Sequence, residues 1–328
     1  MGAGEDQDAR EGWIRTLRKQ GRGEALREPL ESQAETSPHS DFLARMLADL
    51  LREQGALQEA ESWARRAVDL APGNHKALTA LAACLFEQGR PEQAAELAEQ
   101  AITECPDYFV AYLLLAYIYI GQERFGGARA RAEMALHLRG DPDARRLMGK
   151  AMLMSGQEEL GLAEIKKARR EQPADHRFWL EEAAGLEELN RRDEAMEVMA
   201  EARRLFPQAE DLRFLELRLK RQQGAGAEVL TGLLSLTGTI REHPRYLSEL
   251  GFLYDRQGDA DRAYACFKEA KERFAQWPEV RRYPKEPALS RIARLRSTFT
   301  EDWVKLWKTP SQPTGWTYPP VFLLGFPR

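Results

Sequence analysis

The sequence has few cysteines, no long apolar run and no excess of one charge, and each shortage excludes a class of protein. Cys84, Cys105 and Cys266 are its three cysteines, and their wide separation suits neither a metal site nor a disulfide framework, which predicts reduced, buried thiols in a cytosolic protein. No run of about eighteen apolar residues occurs, so no membrane span is expected. The 48 basic and 52 acidic residues give a net charge of -4, which argues against a nucleic-acid partner.

The N-terminus also lacks targeting features. It has neither the basic region nor the apolar region of a signal peptide. Met1 and Gly2 would suit N-myristoylation, but Asp6 stands where that motif needs Ser or Thr. We therefore expect a cytoplasmic protein with no membrane partner.

What the sequence does contain is a helical apolar pattern, clearest from His75 to Tyr108. Alanines and leucines recur there every three or four residues, which places them on one stripe of a helix. The pattern is interrupted at Gly89-Arg90-Pro91, where Gly ends one helix and Pro begins the next. The stretch is therefore predicted to be a helix hairpin, which needs similar neighbours to bury its faces.

The preceding stretch, residues 41–74, supplies such a neighbour at a constant offset. The same residue recurs at matching positions of the two stretches: Leu47 and Leu81, Ala48 and Ala82, Gly55 and Gly89, Ala60 and Ala94, Ala67 and Ala101, and Pro72 and Pro106. This constant period and pattern resemble the tetratricopeptide-repeat family. The resemblance implies an all-α, right-handed superhelical solenoid of antiparallel helix hairpins.

The repeats predict a division of the whole chain. We expect a disordered tail at 1–6, a degenerate capping hairpin at 7–40, seven repeats at 41–277, a linker and helical cap at 278–310, and a further domain beginning at 311–328. Two repeats are irregular. The unit 109–141 is one residue short and its Gly121 comes early, and in the unit 210–243 Gly232 is predicted to interrupt the second helix, from Val229 to Leu236.

Small residues mark the predicted helix crossings, because only small side chains let helix backbones approach closely. They are Ala48, Ala82, Ala116, Gly149, Ala183 and Gly251 in the first helices, and Ala60, Ala94, Ala128, Ala195 and Ala263 in the second helices. Asn74, Asp141 and Asp175 stand where helices begin and are predicted to cap them.

The last residues follow a different pattern. Val321 to Leu324 is a short apolar run after two prolines, which is typical of a buried strand. The stretch PPVFLLGFPR is similar to the start of the sulfotransferases that use 3′-phosphoadenosine 5′-phosphosulfate, some of which follow a tetratricopeptide array in bacteria. The resemblance implies an orphan β-strand and an incomplete phosphosulfate loop, made of Gly325, Phe326, Pro327 and Arg328. The Ser-Gly-Thr-Thr that completes this loop is missing, so we expect no catalytic residue and no bound cofactor in this chain.

A binding groove is expected on the first helices of the hairpins, which line the concave face in the family. By register the groove includes Arg45, Asp49, Thr79, Ala83, Phe86, Leu113, Tyr117, Arg146, Lys150, Ala184, Glu187, Arg218, Phe252 and Arg256. Phe86, Leu113 and Tyr117 beside Arg146 and Lys150 predict an apolar floor with a basic edge, suited to a peptide, a protein or an acidic polymer. An ordinary solvated groove fits the pattern equally well. Chaperone-tail binding is disfavoured, because the asparagines it needs do not occur at matching positions.

Other polar residues carry weaker signals. The five histidines are scattered, so no metal site is expected. The pairs Glu158-Glu159, Glu181-Glu182 and Glu187-Glu188 are interpreted as solvated helix faces. Three hypotheses stay open: a binding arm of a sulfotransferase, a free-standing adaptor, and a fragment of an intact enzyme.

Overall fold

The computed structural model describes residues 26–224 and 226–276, and all regular secondary structure in these residues is helical. The fifteen α-helices described there are α1 (Arg27–Thr36), α2 (Asp41–Glu53), α3 (Leu57–Leu70), α4 (His75–Glu87), α5 (Pro91–Glu104), α6 (Phe109–Gly121), α7 (Phe125–Arg139), α8 (Pro142–Met154), α9 (Glu158–Glu171), α10 (His176–Glu188), α11 (Arg192–Leu205), α12 (Glu210–Gln222), α13 (Ala227–Leu234), α14 (Pro244–Arg256) and α15 (Ala260–Gln276). A 3₁₀ helix, Gly238–Glu242, lies between α13 and α14. The predicted orphan strand, the linker with its helical cap and most of the N-terminal cap lie outside these residues.

From α2 onward the described helices pair into seven antiparallel hairpins. The first helices (α2, α4, α6, α8, α10, α12 and α14) each pack against the second helix that follows them, and second helices also contact the next first helix. From α2 to α12, successive first helices contact one another. The predicted all-helical solenoid is confirmed, and its first helices lie next to one another from α2 to α12.

Helix boundaries follow the polar residues identified in the sequence. Asn74 accepts a hydrogen bond from the backbone N–H of Lys76 at 2.9 Å, and Asp141 accepts one from Asp143 at 2.8 Å. Asp175 does the same for Arg177 at 3.0 Å. These side chains satisfy amides that have no partner within the helix, so the predicted caps are confirmed.

The turn inside each hairpin contains a residue whose backbone has a left-handed conformation, with a positive φ. In the first two hairpins this residue is Gly55 or Gly89, both at φ 78°, and glycine adopts this conformation most easily. In the third hairpin Glu123 takes this conformation at φ 58°, while Gly121 is the last residue of α6. The early glycine of that repeat is therefore not the turn residue.

Small residues lie at the helix crossings, as predicted. The nine alanines of the predicted set are buried, and methyl groups added at Gly149 or Gly251 would meet Ile165 or Phe267 at less than 3 Å. Gly161 on α9 was missed, although it takes the place of Ala128 in the repeat that follows, once the shortened unit is allowed for. Gly232 does not interrupt its helix; it lets α13 approach Leu217, and α13 ends two residues later.

The cysteine prediction holds in part. All three thiols are free, but only Cys84 is buried, while Cys105 and Cys266 are partly exposed. Burial raises the pKa of Cys84 to about 12, so this thiol stays protonated at neutral pH.

Candidate functional site

A cavity of about 470 Å³ opens across the first helices of the first three hairpins. The helices α2, α4 and α6 all contribute side chains to it, because these first helices lie next to one another. The lining residues are Arg45, Asp49, Arg52, Lys76, Thr79, Ala80, Ala83, Phe86, Glu87, Tyr108, Val110, Leu113, Leu114 and Tyr117. The cavity thus joins three hairpins into one site.

Seven of the predicted groove residues line this cavity: Arg45, Asp49, Thr79, Ala83, Phe86, Leu113 and Tyr117. Arg52 also lines it and occupies the same repeat position as Phe86, so the repeat period was enough to identify it, whereas most of the other lining residues lie beside the predicted stripe. Lys76, Ala80 and Glu87 flank that stripe on α4, and a cavity wall takes in the neighbouring positions as well. The helical spacing of three and four residues was the signal that would have found them.

The floor of the cavity is apolar and its rim carries paired charges. Arg52 on α2 lies 2.5 Å from Glu87 on α4, and Arg45 lies 3.7 Å from Asp49. Burial alone would lower the pKa of Arg52, but the carboxylates of Asp49 and Glu87 outweigh it and raise this pKa. The Nε donor of Arg52 is buried without an acceptor among the described residues.

One end of the cavity is richer in positive charge. An adjoining cavity of about 460 Å³ shares Arg45, Asp49, Lys76, Tyr108 and Val110 with the first and adds Phe109, Arg139 and Asp141. The Arg139 guanidinium lies 4.8 Å from the Phe109 ring centroid. Asp141 already accepts the amide that begins α8. Three cations thus face two carboxylates, of which Asp49 pairs with Arg45 and Asp141 caps α8.

The pKa of a neighbouring histidine is lowered in part by these positive charges. Burial, followed by the charges of Lys76 and Arg45, holds the pKa of His75 below its ordinary value. The His75 ring also lies edge-on to Tyr108, with 4.5 Å between ring centroids. We call the part of the site around Arg45, Lys76 and Arg139 the basic end.

Arg146 and Lys150, the predicted basic edge, do not line the cavity and are both in ion pairs. Arg146 is buried, 3.0 Å from both Asp143 and Glu181, and Lys150 lies 2.9 Å from Glu181. Burial alone would raise the pKa of Glu181, but Lys150 and Arg146 outweigh it and lower this pKa. Both cations are therefore neutralised within the fold.

Ion pairs continue between the later first helices. Glu187 on α10 pairs with Arg218 on α12, and Arg221 pairs with Glu249 on α14. Phe252 is 47% exposed, with the Arg221 guanidinium 5.1 Å from its ring centroid. Arg256 is exposed at the end of α14. Neither Phe252 nor Arg256 lines the cavity. The predicted groove residues therefore form two groups, those that line the cavity and those that lie outside it.

The paired glutamates differ from one another in burial. Glu158 and Glu159 are exposed, as expected. Glu182 is only 2% exposed and pairs with Arg169, whose guanidinium stacks 4.1 Å from the Trp179 ring centroid. The solvated-face interpretation is therefore wrong for Glu182.

Models of known protein families match the repeats. Models described as tetratricopeptide repeat match residues 7–75 and 45–109, 85–151, and 244–276. Together they cover more than half of the chain. The chain belongs to the tetratricopeptide-repeat family. None of the curated proteins matches it.

Solved structures share the tetratricopeptide fold at low sequence identity. The Thermus thermophilus tetratricopeptide protein TTC0263 is 21% identical, with 55% of this chain and 98% of that chain covered at a TM-score of 0.50. A tetratricopeptide protein from Parabacteroides merdae is 16% identical, covering 81% and 99% at 0.57. The human IFIT1 dimer with PPP-AAAA is 16% identical, covering 76% and 69% at 0.58. At these identities the similarity is one of fold.

Within the described part of this tetratricopeptide protein, no group of three or more His, Cys, Asp or Glu side chains is placed to hold a metal ion. No helix described there has the length and apolar character needed to cross a bilayer. His176 pairs with Asp211 and His243 caps α14. These two histidines therefore have roles at helix starts.

Proposed function

We propose that this tetratricopeptide scaffold binds a segment of a partner protein in the cavity across α2, α4 and α6. A large apolar side chain of that segment lies beside Phe86, and an acidic residue about three to five positions along the extended segment lies at the basic end, about 15 Å away along α4. Proteins of this family bind peptide or protein partners. The single observation that carries the proposal is the cavity itself, shared by three successive hairpins.

The size and lining of the cavity support an apolar anchor. Its volume of about 470 Å³ falls within the range of about 300–1,000 Å³ that is usual for ligand sites. Phe86, Leu113 and Tyr117 offer aromatic and aliphatic surface, and Ala80 and Ala83 leave room in front of them. Such pockets bind one large apolar side chain of a partner as an anchor.

Charge complementarity supports the acidic residue. The cavity lining at the basic end contains three cations, Arg45, Lys76 and Arg139, and two carboxylates, of which Asp49 pairs with Arg45 and Asp141 caps α8. A ligand carboxylate there would gain favourable interactions, mostly in association rate and specificity. The chain as a whole carries a net charge of -4, which favours a protein segment over a nucleic acid as the partner. The IFIT1 structure with PPP-AAAA makes RNA the competing outcome.

The test uses a phage-displayed random peptide library selected on the immobilised protein. We expect enriched peptides that carry a large apolar residue about three to five positions from Asp or Glu. The Phe86→Asp variant should bind a selected peptide at least about tenfold more weakly, because it removes apolar contact and adds a negative charge. Phe252→Asp is the matched control, since it makes the same change on an exposed first-helix aromatic residue outside the cavity.

Two results would overturn the proposal. One is a library that yields no shared motif while a single-stranded RNA oligonucleotide binds. The other is a selected peptide that binds Phe86→Asp as tightly as the wild type. Circular dichroism of both variants establishes that each retains the helical fold.

The stretch PPVFLLGFPR, outside the described residues, is the observation behind a second proposal. We propose as this second possibility that the array is the substrate-binding or partner-binding arm of a sulfotransferase. A free-standing adaptor fits the described residues equally well. The coding sequence after Arg328 separates the two, since Ser-Gly-Thr-Thr there supports the arm and unrelated sequence removes it. By calorimetry, residues 1–328 should show no saturable binding of 3′-phosphoadenosine 5′-phosphosulfate.

A further inference from the structure

One wall of the cavity is held in place by the next hairpin along the chain. Tyr117 on α6 lines the cavity and is 38% exposed. Arg146 on α8 donates a hydrogen bond to the Tyr117 hydroxyl. The same guanidinium lies 5.4 Å from the centroid of the Tyr117 ring. The ring is more than one-third exposed, so the hydrogen bond and the ring contact with Arg146 are interactions that can fix its orientation.

Arg146 is itself fixed from several sides. Its Nε and Nη2 atoms lie 3.1 and 3.0 Å from Asp143, and its Nη1 atom lies 3.0 Å from Glu181 on α10. The Phe178 ring centroid is 6.0 Å from its guanidinium. Burial alone would lower the pKa of Arg146, but Tyr117, Glu181 and Asp143 outweigh it and raise this pKa. The group is thus charged and has partners on α6, α8 and α10.

We infer that Arg146 is a positioning residue for the ligand site, holding Tyr117 in its binding orientation and linking the cavity to α8 and α10. This inference rests on the proposed function. A side chain ordered before binding avoids an entropy cost when the ligand arrives, which amounts to about a two- to tenfold gain in affinity. Because coupling between two sites is reciprocal, a bound ligand should also stabilise the α6–α8–α10 contacts.

The decisive variant is Tyr117→Phe, which keeps the ring and removes only the hydroxyl. We expect it to weaken binding of a library-selected peptide by about two- to tenfold, with an unchanged thermal midpoint. Arg146→Met should weaken binding to a similar extent, and the double variant should be no weaker than the worse single one, because both changes delete the same interaction. Arg146→Met also leaves Asp143 and Glu181 without their guanidinium, so Tyr117→Phe carries the test if that variant is unstable.

Lys150→Met is the matched control. It removes the other cation that binds Glu181, but Lys150 is not among the residues that line the cavity. We expect its peptide affinity to equal that of the wild type. An equal loss of affinity in Lys150→Met would show that general loosening of the α8–α10 contacts, rather than Tyr117, is responsible, and would overturn the inference.

A second readout separates positioning from simple structural support. Peptide binding should slow amide hydrogen exchange in α8 and α10 of the wild type, and this slowing should be smaller in Tyr117→Phe. Equal slowing in both proteins, or wild-type affinity in Tyr117→Phe, would overturn the role of Arg146. If Phe86→Asp still loses binding in that case, the proposed function stands; if Phe86→Asp also binds normally, the proposed function fails.

Discussion

The contact between Gly149 on α8 and Gly161 on α9 gives a quantitative test of how closely the hairpins pack. A methyl group added at Gly161 would lie 2.5 Å from the carbonyl oxygen of Gly149 and 2.6 Å from the amide nitrogen of Leu153. Both are backbone atoms, so no change of rotamer relieves the overlap. Gly161→Ala must therefore push the two helices apart.

The magnitude follows from two opposing effects. Replacing Gly by Ala inside a helix stabilises it by about 1 kcal/mol, whereas overpacking a close contact costs about 1–3 kcal/mol. Since the overlap here is with backbone, the upper part of that range applies. We expect Gly161→Ala to lower the free energy of unfolding by about 1–2 kcal/mol.

Gly126→Ala is the matched control in this experiment. Gly126 is also helical, in α7, but nothing lies within 4 Å of a methyl group added there, so this variant should be as stable as the wild type or up to about 1 kcal/mol more stable. Urea unfolding followed by circular dichroism measures both. A Gly161→Ala protein as stable as Gly126→Ala would refute the close-contact argument.

Three further predictions concern a cap, a thiol and a buried carboxylate. Asn74→Ala should destabilise the protein by about 1 kcal/mol in urea unfolding, because it removes the cap of α4; an unchanged midpoint would contradict this. The Cys84 thiol has a pKa of about 12 in the folded protein and of about 8.5 in the unfolded chain, so the free energy of unfolding should fall as the pH rises above about 8.5. The Cys84→Ala variant should lose less stability over this alkaline range. An equal loss in both proteins would exclude the thiol as the cause. Glu182→Ala should cost about 1–3 kcal/mol because it leaves Arg169 unpaired, whereas Glu159→Ala, at an 80% exposed side chain, should cost no more than about 1 kcal/mol; equal costs would contradict the difference in burial.

The fold could be predicted from the sequence because each of its signals is local or strictly periodic. The constant repeat period that relates Ala48 to Ala82 fixes which positions face each other. Asn74 caps α4 through an amide only two residues away. Such signals need no knowledge of the neighbouring hairpin.

The site was predicted only in part, because its character depends on partners in other hairpins. Arg146 and Lys150 carry the right charge for a basic edge, yet both pair with Glu181 of the next hairpin, and Arg146 also pairs with Asp143. The basic end arises instead where Lys76 on α4 and Arg139 on α7 come together. Side-chain length and the positions of neighbouring helices determine these contacts, and helical register alone does not predict them.

The short helix α13 has a consequence for how the protein unfolds. It has eight residues, whereas the second helices α3, α5, α9 and α11 have 14 each. In a repeat array, stability is the sum of what each hairpin contributes and of its contacts with adjacent hairpins. A short helix lowers both contributions, so we expect α12 to α15 to unfold before α2 to α11 when the protein is destabilised. A ligand in the cavity across α2, α4 and α6 should then stabilise the earlier hairpins, and the two unfolding steps should move apart as its concentration rises.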